Sequence, residues 1–154
     1  MKKLILRSIV LMMAVAALSV ASAGNPLQQS RLEGAWDTQV TATDCNGHTT
    51  LVFRAITAYH EGGTSTSATN TSPALQTAAL GTWQRTGMRR FNAPLQLFGF
   101  NPDGSFASTT KIERRIHLSA DGNSYTGTAT IAAYDPDGNL IFSACATEVA
   151  TRVQ

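Results

Sequence analysis

Charge is scarce in this chain: Asp, Glu, Lys and Arg make up 14% of its 154 residues, and twelve basic against ten acidic side chains give a formal net charge of +2. Even that small excess is local. Lys2, Lys3 and Arg7 head a segment with an apolar run over 9–20 and then Ala21-Ser22-Ala23, the pattern of a cleavable export signal. Cleavage after Ala23 would leave 131 residues, in which nine basic side chains meet the same ten acidic ones for a net charge of −1. A near-neutral domain lacks the cationic surface that nucleic-acid phosphates require, so no nucleic-acid partner is expected. No later stretch approaches the roughly 18 apolar residues of a membrane-spanning helix. Gly24-Asn25, not a cysteine, follows the cleavage site, which argues against a lipid anchor. A Gly-x-Ser-x-Gly elbow, a phosphate-cradling glycine loop and paired metal-binding histidines are all missing, and no cofactor or metal is expected. What remains points to one exported domain, periplasmic or secreted, at 32–154, behind a signal peptide at 1–23 and a polar leader at 24–31.

Convincing amphipathic helices are also lacking. Apolar and polar residues alternate at period two over about 32–45, 50–60, 63–72, 78–87, 90–100, 105–118, 124–134 and 140–153, and these stretches are rich in strand-forming Thr, Val, Ile and aromatics. Asp103-Gly104, Asp121-Gly122 and Asp137-Gly138 stand where tight hairpins need positive φ. Eight consecutive antiparallel strands suit an all-β, up-and-down barrel, with a two-sheet sandwich as the alternative. The stretch 62–72, dominated by Gly, Ser, Thr and Asn, reads as a weak strand or a mobile flap.

An exported chain of even strand number also suits an outer-membrane barrel. The strand from Phe106 to Leu118 argues otherwise, since Arg114 lies on one face and Arg115 on the other, and either face set against lipid would cost about 2–4 kcal/mol at the midplane. The expectation is a charged face toward water and an apolar face inward.

Leu32-Glu33-Gly34-Ala35-Trp36 puts Gly-x-Trp at the start of the first strand, and Arg152 stands near the end of the last. These three residues resemble the signature of lipocalins and the wider calycin group. The resemblance implies an eight-stranded barrel whose narrow base is closed by Trp36 with Arg152 packed across it. The middle motif of that family, a Thr-Asp-Tyr-like loop, is replaced by Ser119-Ala120-Asp121-Gly122. Ligand class follows from the resemblance alone: a small apolar or amphipathic molecule held inside the barrel.

With Trp36 and Arg152 inward, parity sends Cys45 and Cys145 outward on neighbouring first and last strands, so a disulfide is expected to staple that seam. Asp44-Cys45-Asn46-Gly47-His48 reads as a polar turn, too short in ligands for zinc, and Asp135-Pro136-Asp137-Gly138 as hairpin chemistry, not a calcium loop.

Inward charge is the anomaly. Arg114 lies between Ile112 and Ile116, Glu148 shares a face with Phe142, and Arg85 shares one with Trp83. A buried charge must be paired. Either Arg114 and Glu148 pair with each other or lie solvated near a barrel mouth, or Arg114 meets the carboxylate or polar head of an apolar ligand. The expected ligand-binding set is Tyr59, Trp83, Arg85, Phe106, Ile112, Arg114, Phe142 and Glu148, with Phe53, Leu95 and Leu97 as further lining and small Ala144, Ala146 and Ala150 leaving space. Two other functions stay open: a small barrel isomerase, cyclase or lyase using Glu148, Arg114, Tyr59 or His60, and a structural or interaction barrel with a filled interior.

Overall fold

The computed structural model describes residues 31–154, so the expected signal peptide at 1–23 and the expected leader up to residue 30 lie outside the described residues. Ten strands form: β1 (Gly34–Thr43), β2 (Thr49–Tyr59), β3 (Thr64–Thr69), β4 (Ala79–Thr82), β5 (Gln84–Arg85), β6 (Arg90–Asn92), β7 (Leu95–Phe100), β8 (Phe106–Leu118), β9 (Ser124–Tyr134) and β10 (Leu140–Arg152). They lie in the order β5-β6-β8-β7-β4-β3-β2-β1-β10-β9, and β9 also pairs with β8, so the sheet closes on itself. β4 with β5, and β6 with β7, are halves of two interrupted strands, which makes an eight-stranded antiparallel barrel. The first break is at Trp83, whose backbone N–H donates to Gly63 O (2.7 Å) and whose indole donates to His60 O (3.0 Å). The second is at Ala93-Pro94, where proline has no N–H to give the ladder. At Gly81 the two broken strands crowd together: a Cβ there would lie 1.9 Å from Pro94 O.

Side chains alternate across the wall as period two requires. Trp36, Val40, Ala42, Ala144, Ala146, Ala150, Ile116 and Leu118 are buried inside, while Lys111, Glu113, Arg115 and His117 of β8 stand exposed outside. On β8 that is the reverse of a lipid-facing wall. The 62–72 stretch contributes a wall strand, β3, paired to β2 and β4 with Ser65 and Ser67 buried, instead of a flap.

One end of the barrel is solid. Leu32, Trp36, Tyr59, Phe91, Ala93, Ile116, Leu118, Tyr125 and Ala150 pack as one cluster, with Trp83 against it. Trp36 is fully buried and its indole N–H donates to Leu32 O (2.9 Å). The Arg152 guanidinium lies 4.2 Å from the Trp36 ring centroid and donates to Gly122 O, Glu33 O and Arg31 O. Gly34 completes the plug. It adopts φ 123°, and a Cβ there would meet Arg152 Nη1 at 2.6 Å, so the position suits glycine on two counts.

The opposite end carries the β1–β2, β3–β4, β7–β8 and β9–β10 connections. Cys45, just past β1, is bonded to Cys145 of β10 on the outer face, 100 residues away in sequence, and Cys45 holds φ 64°. Gly104, Gly122 and Gly138 take the positive φ that their turns need.

Four aspartates clamp the turns, Asp44, Asp103 and Asp121 exposed and Asp135 half-buried. The Asp44 carboxylate accepts from His48 Nδ1 (2.9 Å) and from the Asn46 and His48 backbone, Asp103 from Ser105, Asp121 from Ser119 and the Asn123 backbone, and Asp135 from Asn139. Side-chain hydrogen bonds to His48, Ser105, Ser119 and Asn139 are the leading causes that lower the respective carboxyl pKa values below the ordinary aspartate value. A carboxyl whose pKa falls on folding adds stability above its unfolded pKa and loses it as pH drops through the folded one. The urea midpoint is therefore expected to hold from pH 7 to about 5 and to fall below about pH 4. Asp→Asn changes at 44, 103, 121 and 135 should flatten that acid limb; an unchanged limb would show that these clamps contribute nothing.

Candidate functional site

Between the plug and the open end lies a cavity of about 220 Å³. Its walls come from inward positions of eight strands: Val40 of β1, Phe53 and Ala55 of β2, Ser67 of β3, Ala79 of β4, Leu95 and Leu97 of β7, Ile112 of β8, Ala129 and Ile131 of β9, and Ala146 of β10. Alanines face one another where the ladder brings Ala42, Ala129 and Ala146 to the same level, so the space exists because small side chains meet there. Toward the open end the lining turns polar, with Thr69, Thr71, Gln76, Thr77 and Thr110, and Gln76 Nε2 donates to Thr69 Oγ1 (2.6 Å) and Thr71 Oγ1 (2.7 Å).

The floor is a buried ion pair. Arg114 and Glu148 are 4% and 5% exposed, and the guanidinium donates to Glu148 Oε2 from both Nε (3.2 Å) and Nη2 (2.6 Å). Nη2 also donates to the Tyr125 hydroxyl (3.0 Å), which shares a hydrogen bond with Thr38 Oγ1 (3.0 Å). The Tyr59 ring centroid lies 5.9 Å from the guanidinium carbon. The Tyr59 hydroxyl is buried and makes no hydrogen bond to the described residues. Burial opposes the Arg114 charge, but the oxygens of Tyr59, Glu148 and Tyr125 outweigh that penalty and raise its pKa. Burial pushes the Tyr59 and Tyr125 hydroxyls up, with Arg114 pulling the other way. All three groups therefore keep their neutral-pH forms: a cation and two phenols.

Gly127 of β9 makes room for the pair, since a Cβ there would come within 3.2 Å of Glu148 Oε2 and of Arg115 O. It stands opposite Glu148 on one side and Ile116 on the other.

Of the residues expected to meet a ligand, Ile112, Arg114 and Glu148 line the cavity together. Tyr59 stands beside the floor, in the base cluster. Trp83 packs edge-on against Tyr59 and Phe91, in the plug and not the cup. Arg85 is exposed at the base end, where Nη2 donates to Met88 O (2.7 Å) and the guanidinium lies over Phe91. Phe106 faces outward, a departure with a local cause. The β7–β8 register shifts between Gly99 and Phe100, so parity reverses at the start of β8 and Phe106 packs edge-on against the exposed Phe98 at 5.8 Å. Phe142 keeps its inward parity with Ala144 but pairs with Ala133, one inward step beyond the lining, and is 55% exposed at the rim. His60 is exposed in the β2–β3 turn at the base end.

Missing from the expected set were Tyr125 and the lining threonines. Tyr125 shares inward parity with Ala129 and Ile131, a signal present in the sequence. Threonine serves equally on either face of a strand, so Thr38, Thr57 and Thr110 give none.

Among the described residues, no three His, Cys, Asp or Glu side chains come together as a metal-binding group. The chain matches no protein-family model, no curated protein and no solved structure in such comparisons. The arrangement can admit a small molecule from the open end, cover it with aliphatic and aromatic surface, and meet it with fixed hydrogen-bonding groups at the floor.

Proposed function

We propose that this chain is an exported, lipocalin-like barrel that holds one small apolar or amphipathic molecule in its cup. The observation that carries this reading is the cavity itself: apolar walls end on a polar floor, above a base that is packed solid. An interior filled by its own side chains, the reading for a purely structural barrel, would leave no such space. The volume suits a ligand on the order of ten non-hydrogen atoms, since a dry cavity of about 150 Å³ accommodates benzene. Gly34, Trp36 and Arg152 form the kind of plug that the lipocalin resemblance implies, which supports kinship at the level of the barrel. The Cys45–Cys145 bond supports an oxidising compartment, in line with the export pattern of the first 23 residues.

Native mass spectrometry of the purified protein, followed by calorimetric titration with 1-octanol, tests the reading. Ala146 lines the cup and Thr147 of the same strand is exposed. Binding is expected in the unaltered protein, weaker by at least about tenfold in Ala146→Phe and unchanged in Thr147→Phe. Absence of any bound or titrating apolar molecule, or equal loss in both variants, would count against the cup. If a processed substrate is found, turnover that vanishes in Glu148→Gln while a bound molecule is still seen by mass spectrometry favours the enzymatic alternative.

A further inference from the structure

An arginine at the bottom of an apolar cup invites the assumption that the ligand is an anion. The geometry points to the opposite: we infer that the cup selects an uncharged molecule bearing a hydroxyl or similar donor–acceptor head, and rejects the corresponding carboxylate. This rests on the cup being the binding site and names its ligand class.

Two independent features carry the inference. The first is at the floor. A guanidinium takes a carboxylate bidentately through Nε with Nη2 or through Nη1 with Nη2, and here Nε and Nη2 donate to Glu148 Oε2 while Nη2 also donates to the Tyr125 hydroxyl, so neither fork is whole. The groups facing the pair from neighbouring strands are the phenols Tyr125 of β9 and Tyr59 of β2, so nothing adds positive charge, and the floor is neutral overall. A carboxylate reaching Arg114 would lie against the Glu148 carboxylate in a medium of low dielectric, where like charges repel strongly. A hydroxyl can do what a carboxylate cannot, accepting from the guanidinium and donating to the carboxylate together.

The second is at the mouth. The β1–β2, β7–β8 and β9–β10 turns at that end carry Asp44, Asp103, Asp135 and Asp137 and no Lys or Arg. Side-chain hydrogen bonds from His48, Ser105 and Asn139 hold three of these carboxyls in their charged form. Arg54 and Lys111 are engaged on the outer wall, one with Asp37 and the other 5.3 Å from the Tyr134 ring centroid. An entrance of one sign attracts its opposite and slows its like, so an anion is disfavoured on entry as well as on arrival.

The test compares 1-octanol with octanoate on the unaltered protein by calorimetry at pH 7 and pH 5. The alcohol is expected to bind at least about tenfold more tightly at pH 7. The octanoate signal should grow toward pH 5 as the ligand becomes neutral, with the alcohol unchanged. Glu148→Gln, with its fold checked by circular dichroism at the titration temperature, frees Arg114 and should shift the preference toward octanoate by at least about tenfold. Octanoate binding as tightly as octanol at pH 7 overturns the inference while leaving the cup intact. Binding of neither molecule at either pH overturns the cup itself. Should Glu148→Gln not fold, the two-pH comparison on the unaltered protein decides alone.

Discussion

Glu148→Ala, with Arg114 retained, should lower the stability of the barrel by about 3–5 kcal/mol. Arg114 is 4% exposed, and its strongest partner would be gone. Tyr125 can offer one hydroxyl, which does not neutralise a guanidinium out of water. The loss is a large share of the about 5–15 kcal/mol that holds a typical domain folded, and a melting temperature at least about 10 °C lower is the expected reading. The double change Arg114→Met with Glu148→Leu makes the comparison informative. It removes both charges and keeps the volume, and pairs replaced in this way come out near neutral or up to about 4 kcal/mol more stable. Urea unfolding of the single and double variants separates the two cases. A single variant that loses under about 1 kcal/mol would mean that the pair is far more hydrated than its burial indicates.

The second large effect belongs to the disulfide. Cys45 and Cys145 are separated by 100 residues, and in the loop-entropy account a closure of that span is worth about 4–5 kcal/mol, within the about 2–5 kcal/mol usually lost when a native bridge is removed. Part of that is returned at Cys45, whose φ of 64° costs a non-glycine residue about 1–3 kcal/mol and can relax in part, not wholly, once the bond is gone. Cys45→Ala with Cys145→Ala should therefore lose about 2–4 kcal/mol by urea unfolding, and Cys45→Gly with Cys145→Ala less, because glycine holds the turn without strain. Equal losses would remove the backbone part of this account.

The barrel was legible because three independent signals agreed: period-two alternation, Asp-Gly at three turns, and a Trp and an Arg placed to meet across the first and last strands. Parity alone brought Arg114 to Glu148, since each sits among apolar neighbours on its own strand. Where parity failed, the cause was local. The register shift before Phe100 turned Phe106 outward, and no alternation pattern announces a bulge in advance. The break at Trp83 divides what reads as one strand over 78–87, because the indole and its backbone N–H both bond to the β2–β3 turn instead of the ladder. The cavity was least legible of all. Whether inward residues fill a barrel depends on which small side chains share a level, and Ala129 opposite Ala146 is a fact of register, not of composition.

The seam between β1 and β10 has a bearing on how the chain reaches this state. Trp36 pairs with Arg152 and Thr43 with Cys145, so closure joins segments more than a hundred residues apart. Contacts of such span pay their loop entropy before any reward, and proteins dominated by them fold in milliseconds to seconds. Until β10 arrives, β1 and β9 are both open edges of a growing sheet, the condition in which unfinished β structure pairs with neighbouring chains. Pairing of β10 removes both edges at once, and the Cys45–Cys145 bond then holds in place the strand that keeps the chain from being a template for aggregation.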